Sequence, residues 1–240
     1  MESVLFGIGV GPGDPEMLTL KAVRCIEECE VIILPSEPKE ECYAYNIVKM
    51  ICKEIDEKEI VCLPFPMLKD KEKLQRAHDE IYERISEYLA KGKKVAFLTI
   101  GDPCVYSTYN YIHSRVVKAG GKAVIINGIP SFCAASAALG ISLGEKQEEI
   151  HIIPASYDIR STMELKGTRI YMKAGKGLKE VKEMLIEQGT ENYLVYTVSN
   201  CGMDNEKLSF GVNDLDENSG YLTLVIVKEK ILLEEDIDRV

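Results

Sequence analysis

Gly7, Gly9, Gly11 and Gly13 alternate within FGIGVGPGDPEMLTLKA, residues 6–22, with Pro12 and Pro15 set among them. Glycines spaced this way after an apolar run can cradle a phosphate, because a backbone without Cβ lets a ligand approach closely. The dinucleotide fingerprint G-x-G-x-x-G sets the strictest requirement. Counted from Gly7, Gly9 and Gly11, its last glycine falls on Pro12, Asp14 and Glu16. The P-loop pattern is absent as well, and Pro12 and Pro15 lack the N–H groups that a phosphate seeks. After the apolar run VIIL, Pro35 and Ser36 stand where an acidic ribose ligand would be needed. The loop therefore offers space, carbonyls and stiff proline faces, which suit a ligand that is partly cationic and partly aromatic. It reads equally as a tight strand-to-helix turn with positive φ and Asp14 as its cap.

Two more loops carry similar chemistry. LTIGDPCVYSTYNYI, residues 98–112, places Gly101-Asp102-Pro103 after an apolar run, and NGIPSFCAASAALG, residues 127–140, places Gly128 and Ser131 after another. Asp102 is a candidate proton acceptor, and also a common turn residue before proline. His78, His113 and His151 form no readable nucleophilic triad with a Ser or Cys. Of the eight cysteines, none forms a C-x-x-C pair, and Cys25 and Cys29 lack a matching ligand pair downstream. No metal site is expected, and the thiols read as reduced, small hydrophobes.

Elements that would hold these loops follow from periodicity. Short apolar runs at 3–9, 31–35, 59–65, 94–103 and 122–127 read as strands, and amphipathic stretches at 17–30, 45–55, 70–91 and 106–121 as helices between them. Five strands alternating with helices predict a parallel sheet covered on both faces, with ligands beyond the carboxyl ends of the strands. All three loops fall at such ends. Beyond the polar connection 141–149, strands are expected at 150–156, 168–175, 192–200, 207–212 and 221–229, and a helix at 178–189. The last strands leave no room for crossover helices, so part of this sheet should be antiparallel. The fold class is α/β in two αβα domains, 1–128 with a five-stranded parallel sheet and 129–240 with a mixed one.

Composition narrows the partners. A net charge of −10 argues against nucleic acid. No run approaches the roughly 18 apolar residues of a membrane helix, and the N-terminus MESVLFGIGV has no basic signal region. A cytoplasmic protein is expected.

The three motifs, in this order, resemble the tetrapyrrole (corrin/porphyrin) methylase family. GIGVGPGDPEMLTLKA looks like its N-terminal signature, LTIGDPCVYSTYNYI like its second and NGIPSFCAASAALG like its third; RIYMKAG in the second half carries a looser likeness. GDP followed by YSTY, GIPSFCAASAALGISL and EEIHIIPAS are most similar to the branch that methylates precorrin-2, or its cobalt complex, at C20 in cobalamin synthesis. The pattern departs from the family at Ile100, where many members have a second glycine, at Asn127-Gly128, where many have Pro-Gly, and at Pro130, where a hydroxyl residue is common.

The resemblance implies S-adenosylmethionine as methyl donor, an active-site cleft between the two domains, and a homodimer. Carried over, the donor contacts are Gly11, Pro12, Ile100, Gly101, Asp102, Val105, Tyr106, Pro130, Ser131, Phe132 and Met172, with Asp102 the candidate catalytic base and Ser131 the nearest hydroxyl. Lys146, Arg160, Lys173 and Lys176 are candidates for the carboxylates of a tetrapyrrole substrate. Other readings remain: a different corrinoid methylase, a protein-modifying enzyme of the diphthine synthase type, or a nucleotide-binding protein on the same fold, against which the failed fingerprint counts.

Overall fold

Residues at alternating positions of the central strands split cleanly between two cores. Ile32, Leu34, Ala96 and Leu98 join one cluster with Ala22, Ile26, Tyr45, Ile47 and Val48, whereas Val31, Ile33, Val95 and Phe97 join another with Ile81, Ile85, Tyr109 and Ile112. That period of two in a continuous apolar run is what a strand buried on both faces requires. The computed structural model describes residues 2–66, 70–155 and 158–230. By their contacts these form two units, Met1–Ser131 and Phe132–Val240.

The first unit is a five-stranded sheet in the order β3-β2-β4-β1-β5, from β1 (Val4–Gly9), β2 (Val31–Leu34), β3 (Glu59–Cys62), β4 (Lys94–Thr99) and β5 (Ala123–Ile126). Every pairing is parallel, for example Gly9 opposite Thr99 and Ile8 opposite Ile126. Helices α1 (Leu20–Glu28) and α2 (Tyr43–Ile51) cover one face, and α3 (Lys71–Ala90) and α4 (Tyr109–Lys118) the other. The chain leaving β1 thus crosses to β2 over one face, while that leaving β4 crosses to β5 over the opposite face. The adjacent ends of β1 and β4 are a switch point, where open α/β sheets bind ligands.

Two helices start later than periodicity predicts. Instead of beginning at residue 17, α1 waits for Thr19, whose hydroxyl accepts from Ala22 N at 3.1 Å. Asp14 caps a separate 3-10 turn, Pro15–Met17, by accepting from Glu16 N at 2.9 Å. Similarly, α4 begins at Tyr109 and not at 106, because Tyr106 is left-handed at φ +47° and cannot enter a right-handed helix.

The second unit holds β6 (Ile150–Pro154), β7 (Thr168–Met172), β8 (Tyr193–Ser199), β9 (Lys207–Phe210) and β10 (Thr223–Glu229) in the order β6-β7-β10-β8-β9. Only β6 and β7 run parallel; β7–β10, β10–β8 and β8–β9 are antiparallel. The mixed sheet follows from the short connections, as the sequence suggests. Strand β7 stops at Met172 because Lys173 is left-handed, at φ +56°. Residue 156, the end of the strand expected at 150–156, lies outside the described residues. Helix α5 (Ser131–Leu139) leads into this unit, and α6 (Leu178–Glu187) packs Val181, Met184 and Leu185 against Tyr171, Val195, Val225 and Val227.

An ion pair is buried here: Lys228 and Glu148 meet at 2.8 Å with side chains only 5% and 8% exposed. The Lys228 ammonium also donates to the carbonyls of Ser142 (3.0 Å) and Leu143 (3.3 Å), and Glu148 accepts from the Thr168 hydroxyl at 2.7 Å. The polar connection 141–149 is fastened to β10 by this network. Among the described residues no helix is long and apolar enough to cross a membrane.

Candidate functional site

The loops after β1, β4 and β5 leave the sheet at the same edge and touch backbone to backbone. Gly11 N donates to the Gly101 carbonyl at 3.3 Å, and Gly101 N donates to the Gly11 carbonyl at 2.8 Å. This reciprocal pair is an isolated antiparallel bridge lying across the switch point. Both glycines are left-handed, at φ +77° and +71°, where a Cβ would be strained. At Gly9 an added Cβ would stand 2.6 Å from both the Gly101 carbonyl oxygen and Gly128 N. At Gly128 it would overlap the Gly101 carbonyl oxygen and lie 2.7 Å from the Gly9 carbonyl carbon. Residues 9 and 128 therefore need glycine because backbone fills the space that a side chain would take, whereas Gly101 needs it for its left-handed φ.

Asp102 binds the second loop to the third. Its carboxylate is buried (7% exposed) and accepts three hydrogen bonds. Oδ1 takes Cys104 N at 2.7 Å, while Oδ2 takes Gly128 N and the Asn127 side-chain amide, each at 3.1 Å. Burying a charge is tolerable when it is met by donors in this way. The Thr19 hydroxyl adds a longer link, donating to the Asn127 carbonyl at 3.5 Å, so the start of α1 reaches the same junction. The geometry gives Asp102 a direct task as a clasp.

Asn127 was not among the sequence candidates. The Asn-Gly pair at a strand end signals a turn, but its amide reaches a carboxylate 25 residues away in the chain, a contact that only the β4-β1-β5 order creates.

The other expected residues fall as follows. Pro12 is buried beside Gly11. Ile100 is half-buried against the core on the α1 face. Val105 is half-buried, its N–H closing a turn onto the Asp102 carbonyl at 3.1 Å, and Tyr106 is 45% exposed. Pro130 and Ser131 are half-buried where the third loop enters α5. The first unit thus brings Gly11, Gly101 and Asp102 into one bonded junction, with Pro12, Ile100, Val105, Tyr106, Pro130 and Ser131 on the loops leading from it. Phe132 and Met172 belong to the second unit: Phe132 is buried on α5, and Met172 is the buried last residue of β7.

Replacing Asp102 with asparagine tests the clasp. An amide group must turn its NH2 toward at least one of the three donors, leaving it unmatched at a cost of about 1–3 kcal/mol. Urea unfolding should show that loss. A variant of unchanged stability that fails only in turnover would instead mark Asp102 as the proton acceptor.

Arg160, Lys173 and two of the histidines have local partners. Arg160 makes two hydrogen bonds to Glu187, at 2.8 and 3.3 Å. The Lys173 ammonium lies 5.4 Å from the centre of the Tyr221 ring. His113 Nδ1 is 3.1 Å from the Tyr109 hydroxyl, and His78 stacks on Tyr111 at 4.7 Å, where burial lowers its pKa. Burial raises the Cys29 and Cys201 thiols to about 12, so neither is a ready nucleophile. A cavity of about 410 Å³ in the second unit, lined by Tyr193, Tyr196, Phe210 and Lys230 among others, shares no residue with the three loops.

The junction fits a methyl donor with an adenosyl group better than a dinucleotide. At Gly101 the position of a Cβ is open space, with no atom within 4 Å. A ligand can therefore lie against that backbone. The prolines that bracket the first loop leave it short of the N–H groups for a pyrophosphate.

Known proteins resemble this chain in sequence and in fold. The chain is 35% identical over 228 residues to a probable cobalt-precorrin-2 C(20)-methyltransferase of Methanocaldococcus jannaschii, covering 93% of this chain and 95% of that one. It is 26% identical to a precorrin-2 C(20)-methyltransferase of Sinorhizobium sp, over 93% and 94% of the two chains. The fold matches that of uroporphyrin-III C-methyl transferase from Thermus thermophilus, solved in complex with S-adenyl homocysteine, with a TM-score of 0.70 at 18% identity over 95% of this chain and 99% of that one. Residues 4–214 match the model of the Tetrapyrrole (Corrin/Porphyrin) Methylases. With its three glycine loops joined at one sheet edge and this likeness running through both units, the chain belongs to the tetrapyrrole methylase family.

Proposed function

We propose that this protein transfers a methyl group from S-adenosylmethionine to C20 of cobalt-precorrin-2 or precorrin-2, a step in cobalamin biosynthesis. The observation that carries this reading is the 35% identity to the Methanocaldococcus jannaschii relative over nearly the full length of both chains. The donor, when bound, supplies an electrophilic methyl group on a sulfonium. Gly11 and Gly101 leave room for it, Pro12 and Ile100 give it apolar walls, and Val105, Pro130, Ser131, Phe132 and Met172 complete the assignment.

No strong nucleophile is needed for this chemistry. When bound, the donor would give its methyl group to an electron-rich meso carbon as its sulfur–methyl bond breaks and S-adenosylhomocysteine leaves, so the protein's main contribution would be to hold the two in line, which can account for a large part of the rate. Asp102 serves this by fixing the second and third loops to each other. The proton that later leaves the methylated carbon goes to water or to a substrate carboxylate. Lys146, Lys173 and Lys176 are assigned to the substrate's carboxylates. Arg160 is left to its partner Glu187. The protein works in the cytoplasm as a homodimer, the commonest closed assembly.

Incubation with labelled S-adenosylmethionine and precorrin-2, with and without cobalt, tests the reading. Methyl label at C20 is expected in one sample or both, and the comparison fixes the metal preference. Label at another ring carbon would move the protein to a different corrinoid branch. An unlabelled ring in both samples would overturn the assignment.

A further inference from the structure

Tyr106 holds a backbone conformation that its residue type disfavours. Its φ of +47° lies in the left-handed region, where a bulky side chain is strained and glycine is not. Such strain persists only where the surroundings over-determine it, and here they do on both sides. Before it, Asp102 accepts from Cys104 N at 2.7 Å and its carbonyl accepts from Val105 N at 3.1 Å. After it, the Ser107 hydroxyl lies 3.1 Å from the Thr99 hydroxyl and accepts from Tyr109 N at 3.3 Å. The Asn110 amide then donates to the Pro103 carbonyl at 2.9 Å, closing the loop on itself. Tyr106 is the one residue of this pinned segment that combines a positive φ with a large, outward ring, 45% exposed.

A tight loop that needed only a left-handed residue would be served by glycine at lower strain. The aromatic ring is what the position adds. It stands at the switch-point edge, between the Asp102 clasp and α4. Its flat face suits stacking on an extended conjugated ring, and the tetrapyrrole offers a far larger one than the donor's adenine. We propose that Tyr106 is a substrate residue, a platform on which the tetrapyrrole macrocycle stacks, and not a methyl-donor contact. The fixed left-handed backbone sets the orientation of the platform before substrate arrives, so that stacking also places the meso carbon. This assignment rests on the tetrapyrrole reading above.

Four measurements on the full-length protein separate the alternatives: urea unfolding, S-adenosylhomocysteine affinity by calorimetry, and KM and kcat with cobalt-precorrin-2. Tyr106→Gly removes the ring and the strain together, Tyr106→Ala removes the ring alone, and Tyr106→Phe keeps the ring without its hydroxyl. Loss of the stacking face should raise the substrate KM on the order of tenfold in the Gly and Ala variants, the size expected of one aromatic contact. All three variants should bind S-adenosylhomocysteine within about twofold of wild type, because the donor loops keep their bonds. Tyr106→Phe should keep the KM within about threefold, since a face and not a hydroxyl is used. Tyr106→Gly should unfold no earlier in urea than Tyr106→Ala, as relief of a left-handed φ requires.

An unchanged KM in the Gly variant overturns the platform. So does a parallel loss of S-adenosylhomocysteine affinity, which returns Tyr106 to the donor site. If the wild-type protein methylates no tetrapyrrole, the parent reading fails and this one with it. Turnover by wild type with normal KM in the variants sinks this inference alone.

Discussion

Gly128→Ala should cost the protein both its fold stability and its ligand affinity. The new methyl group meets the Gly101 carbonyl oxygen and the Gly9 backbone, and none of these atoms belongs to a side chain that can swing away. Relief requires the ends of β1, β4 and β5 to move apart. Overpacking in a well-filled site costs about 1–3 kcal/mol, occasionally more, and a backbone-to-backbone clash belongs at the upper end. The same displacement would lengthen the Gly128 N–Asp102 bond, now 3.1 Å. Urea unfolding should show the lower midpoint, and calorimetry a fall in S-adenosylhomocysteine affinity of at least about tenfold, the equivalent of about 1.4 kcal/mol. Wild-type affinity in a destabilised variant would show that the third loop is remote from the donor.

Glu148→Ala is expected to be the most damaging surface-remote change in the second unit. It strands the Lys228 ammonium, 5% exposed, with two carbonyls and no counter-charge. Breaking a buried pair from one side costs about 3–5 kcal/mol. The double variant Glu148→Leu, Lys228→Met should recover part of that loss, because neither half is then a buried unpaired charge. Acid sensitivity follows from the same pair. Burial pushes the Glu148 carboxyl up, yet the Lys228 ammonium, the Thr168 hydroxyl and the Glu145 N–H together hold it below its ordinary 4.5. A carboxylate held low when folded stabilises the protein fully above the unfolded value and loses that contribution as pH falls through the folded one. Wild-type stability should therefore decline below pH 4.5 more steeply than that of Glu148→Ala. Parallel acid limbs for the two proteins would remove the pair from the account.

The sheet elements were largely legible because burial on two faces leaves a continuous apolar run. VIIL at 31–34 and KVAFLT at 94–99 could hardly be read otherwise. The mixed second sheet was legible from spacing alone, since short connections cannot cross over. Strand order was not: nothing local says that β1 sits between β4 and β5. That order shapes the candidate site, because it brings Asn127 and Gly128 to Asp102 and adds two donors to the carboxylate of the suspected base. Element edges were missed for local reasons. Thr19 outcompeted Asp14 as the cap of α1, and the left-handed backbones of Tyr106 and Lys173 ended helical or extended runs that their neighbours' side chains favour. Positive φ at a Tyr or Lys leaves no mark in composition.

The mutual Gly11–Gly101 bridge has a consequence for anyone wishing to redirect this enzyme toward another ring position. Each of the two loops supplies the other with a donor and an acceptor, and the third is clasped through Asp102, so none has a geometry of its own to carry elsewhere. A segment exchanged with a homologue at one loop would arrive without its counterpart's register. Transplantation should succeed only for the trio together, whereas retargeting by point changes should be confined to side chains outside the bonded junction, such as those at 105, 106 and 130. The backbone junction is then an inherited chassis, and regiochemistry is written on the side chains mounted upon it.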